Sequence, residues 1–185
     1  MKSVLLLCAA MIIVPSSCYA LSDDLSAMLS FIADWTPKDP SWTEAVPVCS
    51  WVGVKCSPNG TVTVFDVGNR AMTGTFNGSR LPANIKTLYL DYNRFTGTPI
   101  LGGLLAALTF VDLSNNDFNG PLDLSGIPRS LWDYCLYVSS PTLILSRNQF
   151  CGSTNVSMPC ACAVSDGKCN YTANILHFAP CNDGK

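Results

Sequence analysis

Two stretches of the sequence repeat a single pattern: residues 85–97 read IKTLYLDYNRFTG and residues 108–120 read LTFVDLSNNDFNG. In both, positions 1, 4 and 6 are apolar, position 9 is Asn, position 11 is Phe and position 13 is Gly. The copies are 23 residues apart, and another copy 23 residues earlier starts at Val62, with Arg70 at the Asn position. A fourth copy starts near Ser140, after an insertion. Repetition at a period of about 20–50 residues is typical of solenoid proteins.

The spacing within each copy predicts the local structure. Apolar residues at positions 4 and 6 predict a short strand with one inward face, and neighbouring copies are expected to stack because one copy cannot bury that face alone. Asn at position 9 is expected to form a ladder that hydrogen-bonds buried backbone groups, and Phe at position 11 to form a packed spine. Prolines after the pattern predict irregular or polyproline returns. These residues are Asn93, Asn116 and Asn148, then Phe95, Phe118 and Phe150, then Pro82, Pro99 and Pro121.

The first twenty residues are typical of a secretory signal peptide. Lys2 precedes an apolar run at residues 4–14 that is too short to span a bilayer, and cleavage is expected after Ala20. The alternative is an uncleaved anchor. Export leaves eight of the ten cysteines, an even number that predicts four disulfides rather than thiols. Those eight are Cys49, Cys56, Cys135, Cys151, Cys160, Cys162, Cys169 and Cys181.

The close pair among these cysteines is expected to form a small cap structure. Cys49 and Cys56 can close a loop around Trp51, with zinc as the weaker alternative because the spacing does not suit a zinc knuckle. The pairing of the other six stays open among fifteen possibilities.

Both ends of the repeat region are predicted to be caps. After Ser22, a good helix N-cap, apolar residues recur at helical spacing over about 13 residues and predict one amphipathic capping helix. These residues are Leu25, Met28, Leu29, Ile32 and Trp35. The expected organisation is a signal peptide at 1–20, an N-terminal cap at 21–61, repeats at 62–152 and a Cys-rich C-terminal cap at 153–185. The repeats are expected to start near residues 62, 85, 108 and 140.

The sequence CSWVGVKC at residues 49–56 and the repeats after it resemble plant-type leucine-rich-repeat proteins. In that family a cap of the form C-x-W-x-G-V-x-C precedes repeats of the form LxxLxLxxNxLxG. The family includes receptor-kinase ectodomains and polygalacturonase-inhibiting proteins. The FCG sequence at residues 150–152, with close-set cysteines after it, most resembles the kinetoplastid (Leishmania-type) promastigote surface antigens. The resemblance implies an α/β fold: a short leucine-rich-repeat solenoid of about four repeats with disulfide-bonded caps at both ends.

Positions 5, 7 and 8 of each repeat are expected to point out of the concave strands, which makes them the candidate protein-binding face. The residues predicted for it are Asp66, Tyr89, Asp91, Tyr92, Asp112, Asn115 and Arg147. Tyr and Arg are frequent anchors in protein interfaces, and the alternative is a merely solvated sheet face. The three Asp residues do not predict a calcium site, because no compact loop supplies six or more oxygens.

Four Asn-x-Ser/Thr sequons predict N-linked glycans on exposed turns of an exported chain. The acceptor residues are Asn59, Asn77, Asn155 and Asn170. No segment after the signal is long and apolar enough for a transmembrane span. A glycolipid anchor is expected only if the natural chain continues beyond Lys185. We therefore expect a secreted or cell-surface glycoprotein.

Composition narrows the function further. Charged residues make up 13% of the chain and the net charge is −2, which argues against a nucleic-acid-binding surface. The single histidine, His177, argues against a Ser-His-Asp or Cys-His hydrolase, and neither an enzyme activity nor a cofactor is predicted. We expect an extracellular or cell-surface module for adhesion or for recognition of a protein, such as a host or surface receptor. The alternative is a secreted inhibitor of a hydrolase, as polygalacturonase-inhibiting proteins are.

Overall fold

The computed structural model describes residues 23–104, 106–124, 126–128, 130–131, 143–151, 153–154 and 176–177. The described part begins with helix α1 (Asp23–Phe31), and single 3-10 turns lie at Val48–Ser50 and Gly78–Arg80. The strands, in chain order, are β1 (Val54–Cys56), β2 (Val62–Asp66), β3 (Thr73–Gly74), β4 (Thr87–Tyr89), β5 (Arg94–Gly97), β6 (Phe110–Asp112), β7 (Asp117–Pro121), β8 (Leu143–Ile144), β9 (Gln149–Cys151), β10 (Ser153–Thr154) and β11 (Leu176–His177). β10 and β11 pair antiparallel in the predicted C-terminal cap. The predicted signal peptide lies outside the described residues.

One strand from each repeat enters a parallel sheet, with β1 added antiparallel at its edge in the order β1-β2-β4-β6-β8. The register joins Phe65 to Leu88, Leu88 to Val111 and Val111 to Leu143, so each paired residue occupies the same position of its repeat. These four central residues are buried, because a strand turns every second side chain to the same side. The predicted solenoid of stacked parallel strands is confirmed.

The returns contain a second sheet that the sequence analysis did not anticipate. Strands β3, β5, β7 and β9 follow position 9 of each repeat and pair in parallel in that order. Their alignment follows from the Asn side chains, which fix the preceding turn and start each return in the same direction. Phe95, Phe118 and Phe150 of the predicted spine lie in these strands and are buried. The rings of Phe95 and Phe118 stack with centroids 6.1 Å apart, so the spine is confirmed.

The predicted asparagine ladder joins successive repeats. Asn93 Oδ1 accepts hydrogen bonds from the backbone N–H groups of Arg70 and Met72 in the preceding repeat, at 3.1 and 2.9 Å. Its Nδ2 donates to the carbonyl oxygens of Val67 and Leu90, at 2.8 and 3.0 Å. The asparagines at the same position of the next two repeats also bond to their own repeat and to the preceding one. A single side chain type therefore satisfies backbone groups that stacking removes from water.

The capping helix is shorter than the sequence predicts. It covers nine residues and ends at Phe31 rather than continuing to Trp35. The chain leaves the helix through turns in which Ile32 N–H donates to Met28 O at 3.0 Å and Trp35 N–H donates to Ile32 O at 3.1 Å. Trp35 is nevertheless fully buried, because these turns carry its ring to the core. The predicted N-cap, Ser22, lies outside the described residues.

Aromatic rings and one carboxylate attach the cap to the first repeat. The ring of Trp35 stacks on Phe65 with centroids 6.0 Å apart and 12° between the planes. Trp42 contacts the same phenylalanine edge-on at 5.6 Å. Asp24 is buried, and its Oδ2 accepts a hydrogen bond of 2.7 Å from the backbone N–H of Val62 at the start of β2. The cap therefore shields Phe65 of the first repeat from water.

The predicted loop between Cys49 and Cys56 is closed by a disulfide, with Cα atoms 5.6 Å apart. Within the loop, Trp51 is buried and Gly53 has a φ of +86°. A Cβ at residue 53 would collide with the backbone carbonyl oxygen of Asp66, which explains the glycine in the W-x-G-V motif. Among the other predicted cysteines, Cys151 is also disulfide-bonded. The following lie outside the described residues: Cys135, Cys160, Cys162, Cys169 and Cys181.

Candidate protein-binding face

The outward side of the first sheet carries most of the residues predicted to bind a partner. The residue at position 4 of each repeat is buried, so the residues at positions 3 and 5 lie on the opposite side of the sheet. At position 5 the register sets Asp66 beside Tyr89, Tyr89 beside Asp112, and Asp112 beside Ile144. Asp66 is exposed and the other three are half-buried. We call this surface the concave face. It is formed by repeat positions 3 and 5 in β2, β4 and β6, by position 5 in β8, and by the turns that follow these strands.

An aromatic patch lies at the centre of the concave face. The rings of Tyr89 and Phe110 are tilted against each other with centroids 5.0 Å apart. Tyr92, in the turn after β4, exposes 56% of its surface. Phe110 belongs to the position-3 row, which the sequence analysis omitted. The alternation of a strand is the signal that identifies it, because positions 3 and 5 must share a face.

Three carboxylates surround this patch. Asp66 Oδ1 accepts from Gly68 N–H at 3.1 Å, and Asp112 Oδ1 accepts from Ser114 N–H at 2.9 Å. Burial raises the pKa of Asp91 above its ordinary value of 3.8, and the charges of Asp112 and Asp66 act in the same direction. Among the described residues, none of the three carboxylates forms an ion pair. The concave face is therefore locally acidic and has no internal counter-charge there.

Position 8 of each repeat is a left-handed turn residue. Asn69, Tyr92, Asn115 and Arg147 have φ values of 55°, 53°, 54° and 55°. Asn tolerates this conformation, whereas Tyr and Arg adopt it at a cost in free energy. Arg147 Nη1 donates to Asn115 Oδ1 at 3.3 Å, so these two predicted residues are in contact.

At position 7, Ser114 departs from the prediction that the side chain points outward. Ser114 is buried, with 5% of its surface exposed. Its hydroxyl accepts a 3.1 Å hydrogen bond from Asn115 Nδ2. At the same position, Asp91 is half-buried. Position 7 therefore belongs to the turn rather than to the open sheet.

Two of the four predicted glycan acceptors lie in the described part of the chain. Asn59 is exposed in the turn that joins β1 to β2. Asn77 is half-buried, and its Oδ1 accepts from the N–H and the hydroxyl of Ser79, at 3.1 and 2.6 Å. Neither residue lies on the concave face. Asn155 and Asn170 lie outside the described residues.

In the described ranges, no three or more His, Cys, Asp or Glu side chains are grouped so that they could hold a metal ion. No helix in those ranges is long and apolar enough to cross a membrane.

Comparison with known proteins finds similarity to plant leucine-rich-repeat proteins. Residues 21–57 match the leucine rich repeat N-terminal domain. The chain is 30% identical over 133 residues to Receptor-like protein kinase BRI1-like 3 of Arabidopsis thaliana, covering 69% of this chain and 10% of that protein. It is 32% identical over 169 residues to Brassinosteroid LRR receptor kinase BRL3 of Oryza sativa, covering 81% and 13%. The chain thus spans about a tenth of the length of these relatives.

Solved ectodomains share the fold. The BIR2 ectodomain from Arabidopsis thaliana is 28% identical, with a TM-score of 0.50, and the match covers 70% of this chain and 69% of that one. The ectodomain of the Arabidopsis receptor kinase HAESA, solved with an N-terminally extended IDA peptide hormone, is 25% identical, with a TM-score of 0.52. That match covers 70% of this chain and 22% of the solved ectodomain chain.

Proposed function

We propose that this leucine-rich-repeat solenoid, which is similar to the ectodomains of plant receptors, is an extracellular or cell-surface recognition module that holds a protein partner on its concave face. The observation that carries this proposal is the aromatic patch of Tyr89, Phe110 and Tyr92 on the concave face. A contiguous, partly exposed patch of this kind is typical of an interaction surface, and tyrosine is a frequent anchor of protein interfaces.

An extended peptide or a flexible segment suits this surface. HAESA was solved with the peptide hormone IDA and the co-receptor SERK1, and by analogy we propose a peptide-like partner here. Asp66, Asp91 and Asp112 repel one another, so a cationic side chain on the partner relieves that repulsion. A face of this size buries about 600 Å² or less on each side, which predicts modest affinity unless several copies cluster.

The remaining features fit export. The predicted signal at residues 1–20, the disulfide in the N-terminal cap and the exposed sequon at Asn59 are consistent with a secreted or cell-surface chain. Asn59, Asn77, Asn155 and Asn170 are proposed glycan acceptors. We propose no catalytic role for Asp66, Asp91 and Asp112, because these carboxylates lie on an open sheet face rather than in a cleft.

Two narrower hypotheses from the sequence have different support. The likeness to kinetoplastid surface antigens stays a prediction, because the relatives described above are plant receptors. The same relatives favour a recognition module over a secreted inhibitor of a hydrolase.

A peptide-display selection against the disulfide-bonded chain tests the proposal. We expect selected peptides to be enriched in Lys or Arg beside an aromatic residue. A triple variant with Asp66→Asn, Asp91→Asn and Asp112→Asn should lower their affinity at least about tenfold, and Tyr92→Ala should do likewise. Asparagine can still accept the backbone hydrogen bonds that Asp66 and Asp112 make, so the fold is kept.

The matched control is Asp117→Asn, an exposed carboxylate on β7 of the second sheet. It should leave affinity unchanged. Equal binding by the wild type, the triple variant and Tyr92→Ala would show that peptides bind elsewhere, and the proposal would be abandoned.

A further inference from the structure

A pocket of about 360 Å³ opens between the loop after α1 and the turn after β2. Trp42 and Met72 form its apolar base and are almost completely buried. Pro37 and Pro40 also line it, and Lys38, Asp39 and Arg70 supply its charges. A concave, mainly apolar space with a few convergent polar groups is the usual form of a small ligand site.

One of the charged residues of the pocket, Arg70, stands at the ladder position that is not Asn. In the next three repeats, position 9 is Asn and its side chain is buried or half-buried among backbone groups. In the first repeat it is Arg70, whose side chain is 39% exposed and lines the pocket. Only its backbone N–H enters the ladder, as a donor to Asn93. The side chain of Arg70 is therefore free of the backbone hydrogen bonds that hold the repeats together and can contact a ligand.

The guanidinium of Arg70 has unused hydrogen-bonding capacity. Its Nη1 lies 4.0 Å from Asp39 Oδ2, beyond hydrogen-bond distance. Asp39 Oδ1 already accepts from the N–H and hydroxyl of Ser41, at 2.9 and 2.7 Å. These hydrogen bonds, with a smaller contribution from Arg70, lower the pKa of Asp39, so this carboxylate stays charged and orients the arginine. Lys38 Nζ makes one hydrogen bond, to Ala33 O at 3.0 Å, and adds a second cation.

The apolar base of the pocket is held rigidly. Trp42 Nε1 donates to Val52 O at 2.9 Å, and its ring packs on Phe65. Met72 N–H is fixed by Asn93 Oδ1 at 2.9 Å. A preformed base of this kind needs little reordering when an apolar group covers it.

We propose that this pocket binds an organic carboxylate, with an apolar group against Trp42 and Met72 and the carboxylate held by Arg70 beside Lys38. Arginine pairs with a carboxylate through two parallel N–H···O bonds. Such a ligand is either a small free carboxylic acid or the C-terminal residue of a peptide. The site uses none of the residues proposed to hold a partner on the concave face and does not depend on the function proposed for that face.

The test is NMR titration of the disulfide-bonded chain, following backbone amide shifts, with N-acetyl-phenylalanine and with its carboxamide. We expect the acid to shift amides around residues 38–42 and 70–72, and the carboxamide to bind at least about tenfold more weakly. Arg70→Gln should weaken the acid to the level of the carboxamide. Arg70→Gln retains the backbone N–H that enters the ladder, and an unchanged urea midpoint will verify that the fold is intact.

Arg94→Gln is the matched control, because Arg94 is exposed and does not line the pocket. It should bind the acid like the wild type. A pentapeptide ending in phenylalanine, with a free or an amidated C-terminus, separates the two ligand sources. Tighter binding of the free-ended peptide than of N-acetyl-phenylalanine indicates a peptide end, and equal binding indicates a small acid. Equal binding of acid and carboxamide, no effect of Arg70→Gln, or no shift at about 10 mM acid would overturn the proposal.

Discussion

The asparagine ladder predicts that two identical substitutions in adjacent repeats have unequal costs. Asn93→Ala removes the acceptor of Met72 N–H and the donor to Val67 O, both in buried hydrogen bonds. No second partner is present for either group among the described contacts. The N–H of Arg70 also loses its acceptor but is only partly buried, so water can replace it. Leu90 O, by contrast, keeps a hydrogen bond from the next ladder asparagine.

Asn116→Ala leaves fewer groups unsatisfied. The buried N–H of Phe95 loses its acceptor, Asn116 Oδ1. Each of the three carbonyl oxygens that Asn116 Nδ2 contacts retains a second donor. Those carbonyls belong to Leu90, Leu113 and Ser114.

A buried polar group without a partner costs about 1–3 kcal/mol. Asn93→Ala should therefore lower the free energy of unfolding by about 2–6 kcal/mol and Asn116→Ala by about 1–3 kcal/mol. The unfolding free energy of a domain is about 5–15 kcal/mol, so Asn93→Ala can remove a large part of the total stability. The cost is unequal because the first repeat has Arg70 at the ladder position. No asparagine of that repeat is therefore present to donate a second hydrogen bond to Val67 O.

Equilibrium urea unfolding of the oxidised chain, followed by tryptophan fluorescence, measures the difference. Asn84→Ala is the control, since Asn84 is exposed in the turn before β4 and should change the stability by less than about 0.5 kcal/mol. If Asn116→Ala costs as much as Asn93→Ala, or if both resemble the control, the reasoning from unsatisfied partners is refuted.

Three further predictions use the same unfolding assay. Gly53→Ala should destabilise far more than Gly60→Ala, because both have positive φ but only residue 53 has a backbone carbonyl in the way of a Cβ; similar losses would contradict this. Replacing both Cys49 and Cys56 by Ser should cost about 2–3 kcal/mol, as expected for a short closed loop, and a negligible loss would show that the disulfide does not stabilise the cap. Burial and neighbouring carboxylates raise the pKa of Asp91, so its contribution to stability is complete below pH 3.8 and is lost as the pH rises through the folded-state pKa. The unfolding free energy of the wild type, minus that of Asp91→Asn, should therefore increase as the pH falls from 7 to 4. A constant or decreasing difference would refute the argument.

The stacked solenoid was predictable because its residues repeat one arrangement at fixed spacing. Asn93, Asn116 and Asn148 occupy one position, and each satisfies the same kind of backbone group. The disulfide between Cys49 and Cys56 followed from their separation and from the predicted export. In both cases the interacting groups lie at distances along the chain that the pattern itself specifies.

Other features depend on contacts that no pattern in the sequence specifies. The short strands of the second sheet have little alternation, and their pairing depends on turns fixed by asparagines from other repeats. The helix ends at Phe31 although the apolar spacing continues to Trp35. The spacing is misleading because Trp35 reaches the core through the turns that follow the helix. Asp24 reads as an ordinary acidic residue at a helix start, yet it bonds to Val62 on the first repeat.

The candidate site was predictable in part. The outward direction of Asp66, Tyr89 and Asp112 follows from strand alternation, which also identifies Phe110. The burial of Ser114 does not follow, because position 7 lies beyond the strand in a turn. The pocket beside Arg70 is likewise invisible in the sequence, since its walls come from the cap loop and from the first repeat.

Hydroxyl-radical footprinting of the chain, with and without a peptide from the selection, tests the binding role of the concave face most directly. Tyr92 on that face and Ile100 in the return after β5 have similar exposure, 56% and 52%, so each reports on one of two surfaces when its own oxidation rate is compared with and without the peptide. A partner on the concave face protects Tyr92 from oxidation and leaves Ile100 unchanged. Protection of Ile100 with no change at Tyr92 would place the partner on another surface and contradict the proposed function.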